Sequence, residues 1–411
     1  MEHSAVEVVE LKSGPITEVV TSAEASRVFN ASSPQVLRIA SVDCLRGGLV
    51  LVAAVVLLLP SAIREWSDSP AAEGLVAMLQ PSLWEGITIY SLVNPGFLFV
   101  TGISAALSVV RRRQQHQAVS QILAHLAVRS IWLFLLGLAV EGSLFSFRGP
   151  IRIWGSFQQI AMGGFIAGVI TLIGSWRISL LTAVSIVVIH GLSFDLFPPP
   201  QMTDNERGVI PISVYSAEHN FAARVDQAYL PGEKYFKTWD PQGLWTTLPA
   251  VALSLFGAAT ALVAIRYPGR EQPPVSRGMV AAMALLLINA GFLLSDSQPA
   301  IAWLLTPTFA AVELGTMLLA VVVLADADRL EQRWRGINFT CQLGRNCLGL
   351  MVALHLVSQF GVWLVPWIGQ QVGMRVVYVE TIVAIAGLLV LCWWNLLMVY
   401  LKRDRHQVAI V

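Results

Sequence analysis

Residues 84–108 read WEGITIYSLVNPGFLFVTGISAALS, and this stretch decides the predicted fold. It opens with polar and aromatic residues, continues as an apolar run long enough to cross a bilayer, and is followed by arginines at 111–113. Pro95 and Gly96 should loosen this helix, and the carboxylate of Glu85 lies at its mouth. Both features are costly in hydrocarbon unless they line a cavity or a site. The stretch therefore predicts a membrane helix whose outer end belongs to a functional site.

The whole chain has the composition of a membrane protein. Of its 411 residues, 55% are hydrophobic and only 13% are charged, which excludes an ordinary soluble domain. About ten apolar runs are long enough to span a bilayer. They lie at 47–64, 87–109, 124–143, 156–174, 178–196, 244–265, 277–294, 300–325, 345–367 and 374–400. The predicted fold class is an all-α polytopic membrane helix bundle.

Basic residues in the short loops predict the orientation of the bundle. They concentrate at 111–113, 329–335 and 402–405, on the side that should be cytoplasmic together with both termini. Residues 402–411 are expected to form a short cytoplasmic tail. The net charge of +1 gives no indication of a nucleic acid partner.

The remaining segments follow from the same pattern. Residues 1–37 are expected to form a flexible cytoplasmic tail, because no basic segment followed by an apolar one marks a cleaved signal peptide. Residues 38–401 should form the transmembrane bundle. Two long outer loops, 65–86 and 197–243, interrupt the apolar pattern, and loops of this length are usually functional or disordered. A helix-like stretch at 216–228 favours an ordered cap.

The first candidate site precedes the first span and contains Arg38, Ser41, Asp43 and Arg46. Asp43 and Arg46 are three residues apart, so on a helix they share a face and can form an ion pair. One interpretation is an anchor at the cytoplasmic end of the span. The other is cosubstrate binding, because an arginine guanidinium binds phosphate groups bidentately. The residues alone leave both interpretations open.

Several carboxylates fall in or near the spans and outer loops. An ionised carboxylate in hydrocarbon costs several kcal/mol, so each is expected to face the bundle interior, paired or protonated. The catalytic candidates are Glu85, Asp226, Asp240 and Glu313. Glu380 is a further intramembrane carboxylate, and an interfacial pair with Arg375 is its alternative role.

A third set of residues is expected to contact a substrate. It comprises Trp84, Asn94, Gln158, His190, Trp239, Trp245 and His355. Each has a structural alternative. Tryptophans at span ends form interfacial belts, amides make interhelical hydrogen bonds, and a lone histidine in an apolar helix is more often a packing residue. The four cysteines show neither CxxC spacing nor a histidine pairing, so neither a metal nor a disulfide is expected.

Several separated motifs together resemble one family, the transmembrane acyltransferases typified by heparan-α-glucosaminide N-acetyltransferase. Arg38 with Ser41-x-Asp43-x-x-Arg46-Gly47 resembles the family's opening motif, and residues 84–102 resemble its second-span signature. Residues 220–250 are similar to an outer loop that ends in Asp-Pro-Glu-Gly-Leu in the family, and Gly344-Arg345-Asn346 resembles a late motif. They occur in the family's order and cover most of residues 38–360.

The resemblance implies acetyl-coenzyme A as a cosubstrate entering from the cytoplasmic side, and an acceptor hydroxyl or amine on the outer side. The family's general base is a histidine three residues before the signature tryptophan, where this sequence has Pro81. Where the family has Trp-Asn-Gly, this sequence has Trp84-Glu85-Gly86. Where the family has a polar residue at the end of its first span, this sequence has the apolar pair Leu59-Pro60. Glu85 or Asp240 is therefore the expected replacement for the base.

These observations lead to one leading function and two alternatives. The leading hypothesis is a membrane acyltransferase that moves an acetyl group from coenzyme A to a saccharide or lipophilic acceptor. The first alternative is an acid-initiated cyclase or isomerase of a lipophilic isoprenoid, with carboxylates as proton donors and tryptophans stabilising the cation. The second is a non-enzymatic transporter or flippase that uses intramembrane ionisable residues.

The expected location is the bacterial cytoplasmic (inner) membrane. The expected partners are the lipid bilayer and a lipophilic or saccharide small molecule, and the residues leave open whether the protein forms a homodimer.

Overall fold

The structure, a computed structural model, describes residues 40–67, 69–141, 151–204, 208–210, 212–265, 275–331 and 333–356, with isolated positions at 387, 389, 393 and 397. Its helices are α1 (Ala40–Trp66), α2 (Pro70–Leu79), α3 (Ile89–Gln114), α4 (Val119–Val140), α5 (Ser156–Ile173), α6 (Trp176–Leu196), α7 (Phe221–Tyr229), α8 (Thr247–Ile265), α9 (Arg277–Leu294), α10 (Pro307–Val323), α11 (Ala327–Leu330), α12 (Arg335–Arg345) and α13 (Cys347–Leu356). A short antiparallel hairpin pairs β1 (Met202–Asp204) with β2 (Gly208–Ile210), and 3₁₀ turns lie at Ala302–Leu304 and Leu324–Asp326.

Eight of these helices are long and apolar enough to cross a membrane: α1, α3, α4, α5, α6, α8, α9 and α10. They follow the order of the first eight predicted spans, so the prediction of an all-α polytopic membrane bundle is confirmed. Helix α13 is the described part of the predicted span at 345–367. The span at 374–400, apart from its four isolated positions, and the tails at 1–37 and 402–411 lie outside the described residues.

Helix α3 contains the stretch that was predicted to loosen. It runs without a break from Ile89 to Gln114, so the loosening expected at Pro95 and Gly96 does not interrupt it. Pro95 has no backbone N–H, so the carbonyl of Ser91 loses its partner within the helix, but the turns on either side continue. The following residues, from Phe97 to Val100, are buried in the bundle, and this packing holds the helix together.

The core of the bundle surrounds α3. This helix packs against α1, α5 and α8, and α8 also packs against α6. Leu98 and Phe99 on α3 are fully buried. Helix α4 is peripheral and lies mainly on α5, whereas α1 is covered along its first half by α12.

Three outer segments, 69–88, 212–246 and 295–306, are joined to one another and form what we call the cap. Trp84 donates its indole N–H to the carbonyl of Tyr215 at 2.9 Å, and Trp303 donates to the carbonyl of Ser82 at 3.0 Å. Helix α7 lies in the cap and begins at Phe221, later than the predicted helix at 216–228. The side chain of Asn220 caps it by accepting from the third following backbone N–H. Most of the long outer loop is thus ordered.

Candidate active site

A cavity of about 750 Å³ lies between α1, α3, α4, α5, α13 and the cap. Along α3 its lining extends from Tyr90 to Ser104, a distance of about 21 Å at the rise of an α-helix. One end is therefore at the cap, and the other reaches the depth of Arg46 near the start of α1. A cavity of this length can hold an elongated ligand.

The inner end of the cavity carries an ion-pair cluster centred on Asp43. Arg46 contacts one carboxylate oxygen of Asp43 at 3.1 Å, which confirms the predicted pair, and Arg345 approaches the other oxygen at 3.5 Å. Arg46 also donates to the hydroxyl of Ser104, and Arg345 pairs with Glu331. Both arginines line the cavity, whereas Asp43 is 6% exposed behind them. The carboxylate thus orients two guanidinium groups toward the cavity.

A close helix crossing brings the two arginines together. A Cβ atom added at Gly47 would lie 1.8 Å from the carbonyl oxygen of Thr340, and one added at Gly344 would lie 1.7 Å from that of Asp43. Only glycine allows α1 and α12 to approach this closely. The crossing joins the opening motif to the late Gly344-Arg345-Asn346 motif, although nearly 300 residues separate them along the chain.

A third arginine, Arg129 on α4, lines the same end of the cavity. It lies within electrostatic range of Arg46, and in the part of the chain that the structure describes no carboxylate pairs with it. Arg46, Arg129 and Arg345, which we call the arginine cluster, therefore face two carboxylates, Asp43 and Glu331. The cluster has a surplus of positive charge at the cavity wall, which suits an anionic ligand.

The middle and outer parts of the cavity are polar and aromatic. Asn94, whose role as a substrate contact stays a prediction, lines the wall next to Pro95, where the Ser91 carbonyl has no partner within the helix. Gln159 lines the wall from α5, while Gln242 and Trp303 line it from the cap. These groups can hydrogen-bond and stack against a polar acceptor.

His355 also lines the cavity, and its role as a substrate contact stays a prediction. Its Nε2 lies 3.4 Å from the Oε1 of Glu141, the residue that follows α4. Phe157 packs edge-on against the imidazole at 5.9 Å between ring centroids. The cavity wall therefore carries a histidine that contacts a buried carboxylate.

Asp240 and Asp226 hold the cap together and do not line the cavity. Asp240 accepts two hydrogen bonds from Arg152, at 2.6 and 2.7 Å, and backbone N–H groups of Tyr235 and Gln242 satisfy its oxygens further. Arg152 also donates to the side chain of Gln242 at 2.6 Å, which positions that amide at the cavity. The catalytic assignment of Asp240 stays a prediction, and its geometry is that of a structural ion pair.

Asp226 accepts from the backbone N–H groups of Asp240, at 3.2 Å, and Leu244, at 2.9 Å. Burial raises the pKa of its carboxyl from 3.8 to about 6, although the two backbone donors oppose this change. We call Arg152, Asp226 and Asp240 the cap network. It shapes the turn that carries Gln242.

The mouth of α3 is arranged differently from the prediction. Glu85 is exposed and does not line the cavity, so its catalytic role stays a prediction without support from the geometry. Trp84 and Trp239, two predicted substrate contacts, pack edge to face at 5.4 Å inside the cap, and Trp239 stacks on Phe236. Pro81, the position at which the family resemblance implies a histidine, does line the cavity.

Three other predicted substrate contacts have packing geometry. His190 is fully buried, its Nε2 lies 2.9 Å from the carbonyl of Leu304, and its ring stacks on Trp245. Trp245 donates to Ser193 at 3.0 Å. Gln158 donates to the carbonyl of Phe134 at 3.1 Å, which is the interhelical role considered as its alternative. None of the three lines the cavity.

The two remaining candidates that the structure describes, Glu313 and Ser41, do not line the cavity. Glu313 is fully buried on α10, and neither of its oxygens has a hydrogen-bond partner among the described residues. Ser41 is half-buried near the start of α1. Arg38 and Glu380 lie outside the described residues.

Sequence reasoning did not select Arg129, Glu141 or Arg345 as site residues. Arg129 and Glu141 lie within the predicted span at 124–143, where an ionisable side chain is by itself a site signal. Arg345 belongs to the late motif that had already been recognised. A signal therefore existed for each of the three, but their convergence on one cavity is a tertiary property.

No protein family model matches the chain. Among curated proteins it is similar to heparan-alpha-glucosaminide N-acetyltransferase of Homo sapiens, with 22% identity over 249 residues. The matched region covers 50% of this chain and 37% of the human protein, so the chain spans well under two thirds of that relative's length. The similarity supports a distant relationship to that family, in agreement with the motif resemblance.

Proposed function

We propose that this protein is a membrane-embedded acyltransferase that moves an acyl group from a coenzyme A thioester to a hydroxyl or amine of a saccharide or lipophilic acceptor. The distant similarity to a membrane acetyltransferase and the apolar helices support a membrane acyltransferase-like role. The observation that carries the proposal is one cavity with the arginine cluster at its inner end and a polar, aromatic wall at its outer end.

The arginine cluster is the proposed donor site. Coenzyme A carries several phosphate groups, and guanidinium groups bind phosphates through paired hydrogen bonds. Arg46 and Arg345 are held by the shared carboxylate of Asp43, so they lose little conformational freedom when a ligand binds. Arg129 brings positive charge without a described counter-ion. In this arrangement the thioester arm extends along α3 toward the cap.

The outer part of the cavity is the proposed acceptor site. Asn94, Gln159 and Gln242 offer amide groups to sugar hydroxyls, and Trp303 and Tyr90 offer ring faces for stacking. The acceptor's nucleophilic atom and the thioester carbonyl would meet between the two ends. Acyl transfer in such a site requires a group that accepts the acceptor's proton.

The isoprenoid cyclase alternative receives no comparable support. It requires acidic side chains at the cavity, and the four carboxylates predicted for that role lie elsewhere. Glu85 is exposed, Asp226 and Asp240 belong to the cap network, and Glu313 is buried in α10.

Radiolabelled acetyl-coenzyme A tests the proposal. Full-length protein in lipid nanodiscs should bind the label and transfer it to n-octyl β-D-glucoside, a probe that presents saccharide hydroxyls on an alkyl chain. Arg46→Gln and Arg345→Gln should weaken binding by about tenfold or more, because each removes charge-assisted hydrogen bonds. Arg277→Gln is the matched control, since Arg277 forms an exposed pair with Asp326 and does not line the cavity.

Two results would contradict the proposal. If the wild-type protein neither binds acetyl-coenzyme A nor labels the glucoside or any extractable lipid or sugar, the assignment is wrong. If it binds label without forming a covalent product and moves it across a liposome membrane, a transport function replaces the acyltransferase function.

A further inference from the structure

The pair formed by His355 and Glu141 joins two helices beside the cavity. The histidine lies on α13 and the glutamate directly after α4, so the pair does not stabilise one helix by itself. The side chain of Glu141 is 7% exposed, and His355 Nε2 lies 3.4 Å from its Oε1. The other glutamate oxygen and the other ring nitrogen have no hydrogen-bond partner among the described residues. A buried polar atom left unpaired destabilises a fold, so its presence calls for an explanation such as an ordered water or a catalytic role.

The position of Glu141 at a helix end also disfavours its negative charge. It caps the C-terminal end of α4, where the helix dipole disfavours a negative charge. Its carboxylate is accommodated because residue 155 is glycine, since a Cβ atom there would lie 2.0 Å from the Oε2 of Glu141. Arg152 is within electrostatic range but donates its hydrogen bonds to Asp240 and Gln242. The fold therefore retains a buried carboxylate whose described side-chain partner is His355.

A carboxylate beside one imidazole nitrogen determines the tautomer of a neutral histidine. In this protein the carboxylate of Glu141 lies beside Nε2 of His355. The same carboxylate stabilises the imidazolium once the ring has accepted a second proton. This is the arrangement required of a general base.

The location within the cavity suits this role. Of the histidines that the structure describes, only His355 lines the cavity. It lies eight residues beyond Cys347 on α13, about 12 Å along the helix axis, and Cys347 follows the Arg345 end of the arginine cluster. A thioester whose phosphates bind the arginines would thus reach His355 through an extended arm.

We propose that His355, oriented by Glu141, is the general base of the acyl transfer, in place of the histidine that is absent at Pro81. This inference rests on the proposed function. The imidazole of His355 accepts the proton of the acceptor's hydroxyl or amine while that oxygen or nitrogen attacks the thioester carbonyl carbon. The new bond to the acceptor forms, the carbon–sulfur bond breaks, and the imidazolium returns the proton to the departing thiolate, which leaves as coenzyme A thiol.

The experiment measures binding and transfer separately in the full-length protein. Rates of acetyl transfer to n-octyl β-D-glucoside and affinities for acetyl-coenzyme A are determined for wild type, His355→Gln, Glu141→Gln and the double variant. His355→Gln should lower the rate by about a hundredfold or more while its affinity for acetyl-coenzyme A stays within about twofold. The double variant should be no slower than His355→Gln, because the two residues act as a unit.

Replacing His355 by the smaller alanine distinguishes a role in proton transfer from a role in packing. His355→Ala leaves space for imidazole, and added imidazole should restore part of the transfer rate if the side chain accepts a proton. His125→Gln, which changes a histidine on α4 that does not line the cavity, should transfer at the wild-type rate.

The outcomes distinguish this inference from the proposed function. An active wild type with an equally active His355→Gln overturns the inference alone, as does a His355→Gln variant that loses binding and transfer equally without imidazole rescue. A wild type that forms no acetylated product overturns the proposed function and the inference together.

Discussion

Two arginine–aspartate pairs illustrate how the same residue types take different roles in this protein. In the cap network, Arg152 and Asp240 pair one to one, their side chains are 14% and 0% exposed, and both carboxylate oxygens are fully used. At the inner end of the cavity, Asp43 is shared by Arg46 and Arg345, whose side chains are 27% and 24% exposed and line open space.

The difference lies in charge balance and access. A balanced, fully hydrogen-bonded pair in the cap contributes to the shape of a turn, and removing one partner leaves an uncompensated buried charge. A cluster with surplus positive charge at a cavity wall retains donors for a ligand. Neither property can be recognised from one residue, since each depends on all the groups that converge on the pair.

Breaking the cap pair should have the largest effect. Arg152→Met leaves the buried carboxylate of Asp240 without its counter-charge and should lower the free energy of unfolding by about 3–5 kcal/mol. Thermal denaturation of detergent-solubilised protein, followed by tryptophan fluorescence, measures the change. Arg277→Met is the control, because its exposed pair should contribute about 1 kcal/mol or less. Equal melting of the two variants would contradict the structural role of the cap network.

The cap should also respond to pH through Asp226. Its pKa in the folded protein, about 6, lies above the ordinary value of 3.8, so between these values the folded state binds more protons than the unfolded state. The free energy of unfolding should therefore fall as pH rises from about 4 to 6, by about 2–3 kcal/mol.

The measurement is the difference in thermal stability between wild type and Asp226→Asn at each pH, since asparagine does not titrate. Wild type should lose thermal stability relative to Asp226→Asn as pH rises from about 4 to 6. A flat difference between wild type and Asp226→Asn would argue that burial does not perturb this carboxyl.

Separating α1 from α12 should affect the arginine cluster and the fold together. Gly344→Ala introduces a methyl group where the Asp43 carbonyl lies 1.7 Å away, so the helices must move apart. We expect a loss of about 1–3 kcal/mol in stability together with weaker binding of acetyl-coenzyme A. Gly48→Ala, which meets nothing within 4 Å, should change neither. Wild-type affinity in Gly344→Ala would show that the crossing does not position the arginines.

Removing the surplus charge should have the smallest effect and act on binding only. Arg129→Gln removes a guanidinium that has no described carboxylate partner, so thermal stability should not fall. Affinity for acetyl-coenzyme A should decrease by about tenfold. Equilibrium binding of the radiolabelled thioester in nanodiscs measures it. A stability loss with unchanged affinity would assign Arg129 to the fold and remove the contrast with the cap network.

The amino-acid sequence by itself determined the membrane class, the all-α bundle and the first eight spans. Apolar length is a local property, because each helix must satisfy its own backbone hydrogen bonds in hydrocarbon. Pairing of Asp43 with Arg46 was predictable for the same reason, as both lie on one turn of α1. The loosening expected at Pro95 does not interrupt α3, because packing around Phe97 to Val100 outweighs the loss of one hydrogen bond.

Only the tertiary structure decided which polar residues share the cavity. Arg345 joins Arg46 because Gly47 and Gly344 allow two distant helices to cross, and His355 meets Glu141 across two helices. Conversely, Asp240 looks catalytic in the sequence, but Arg152 neutralises it in the cap. Such outcomes depend on contacts between residues far apart in the chain, and no local pattern encodes the balance of charge that those contacts produce.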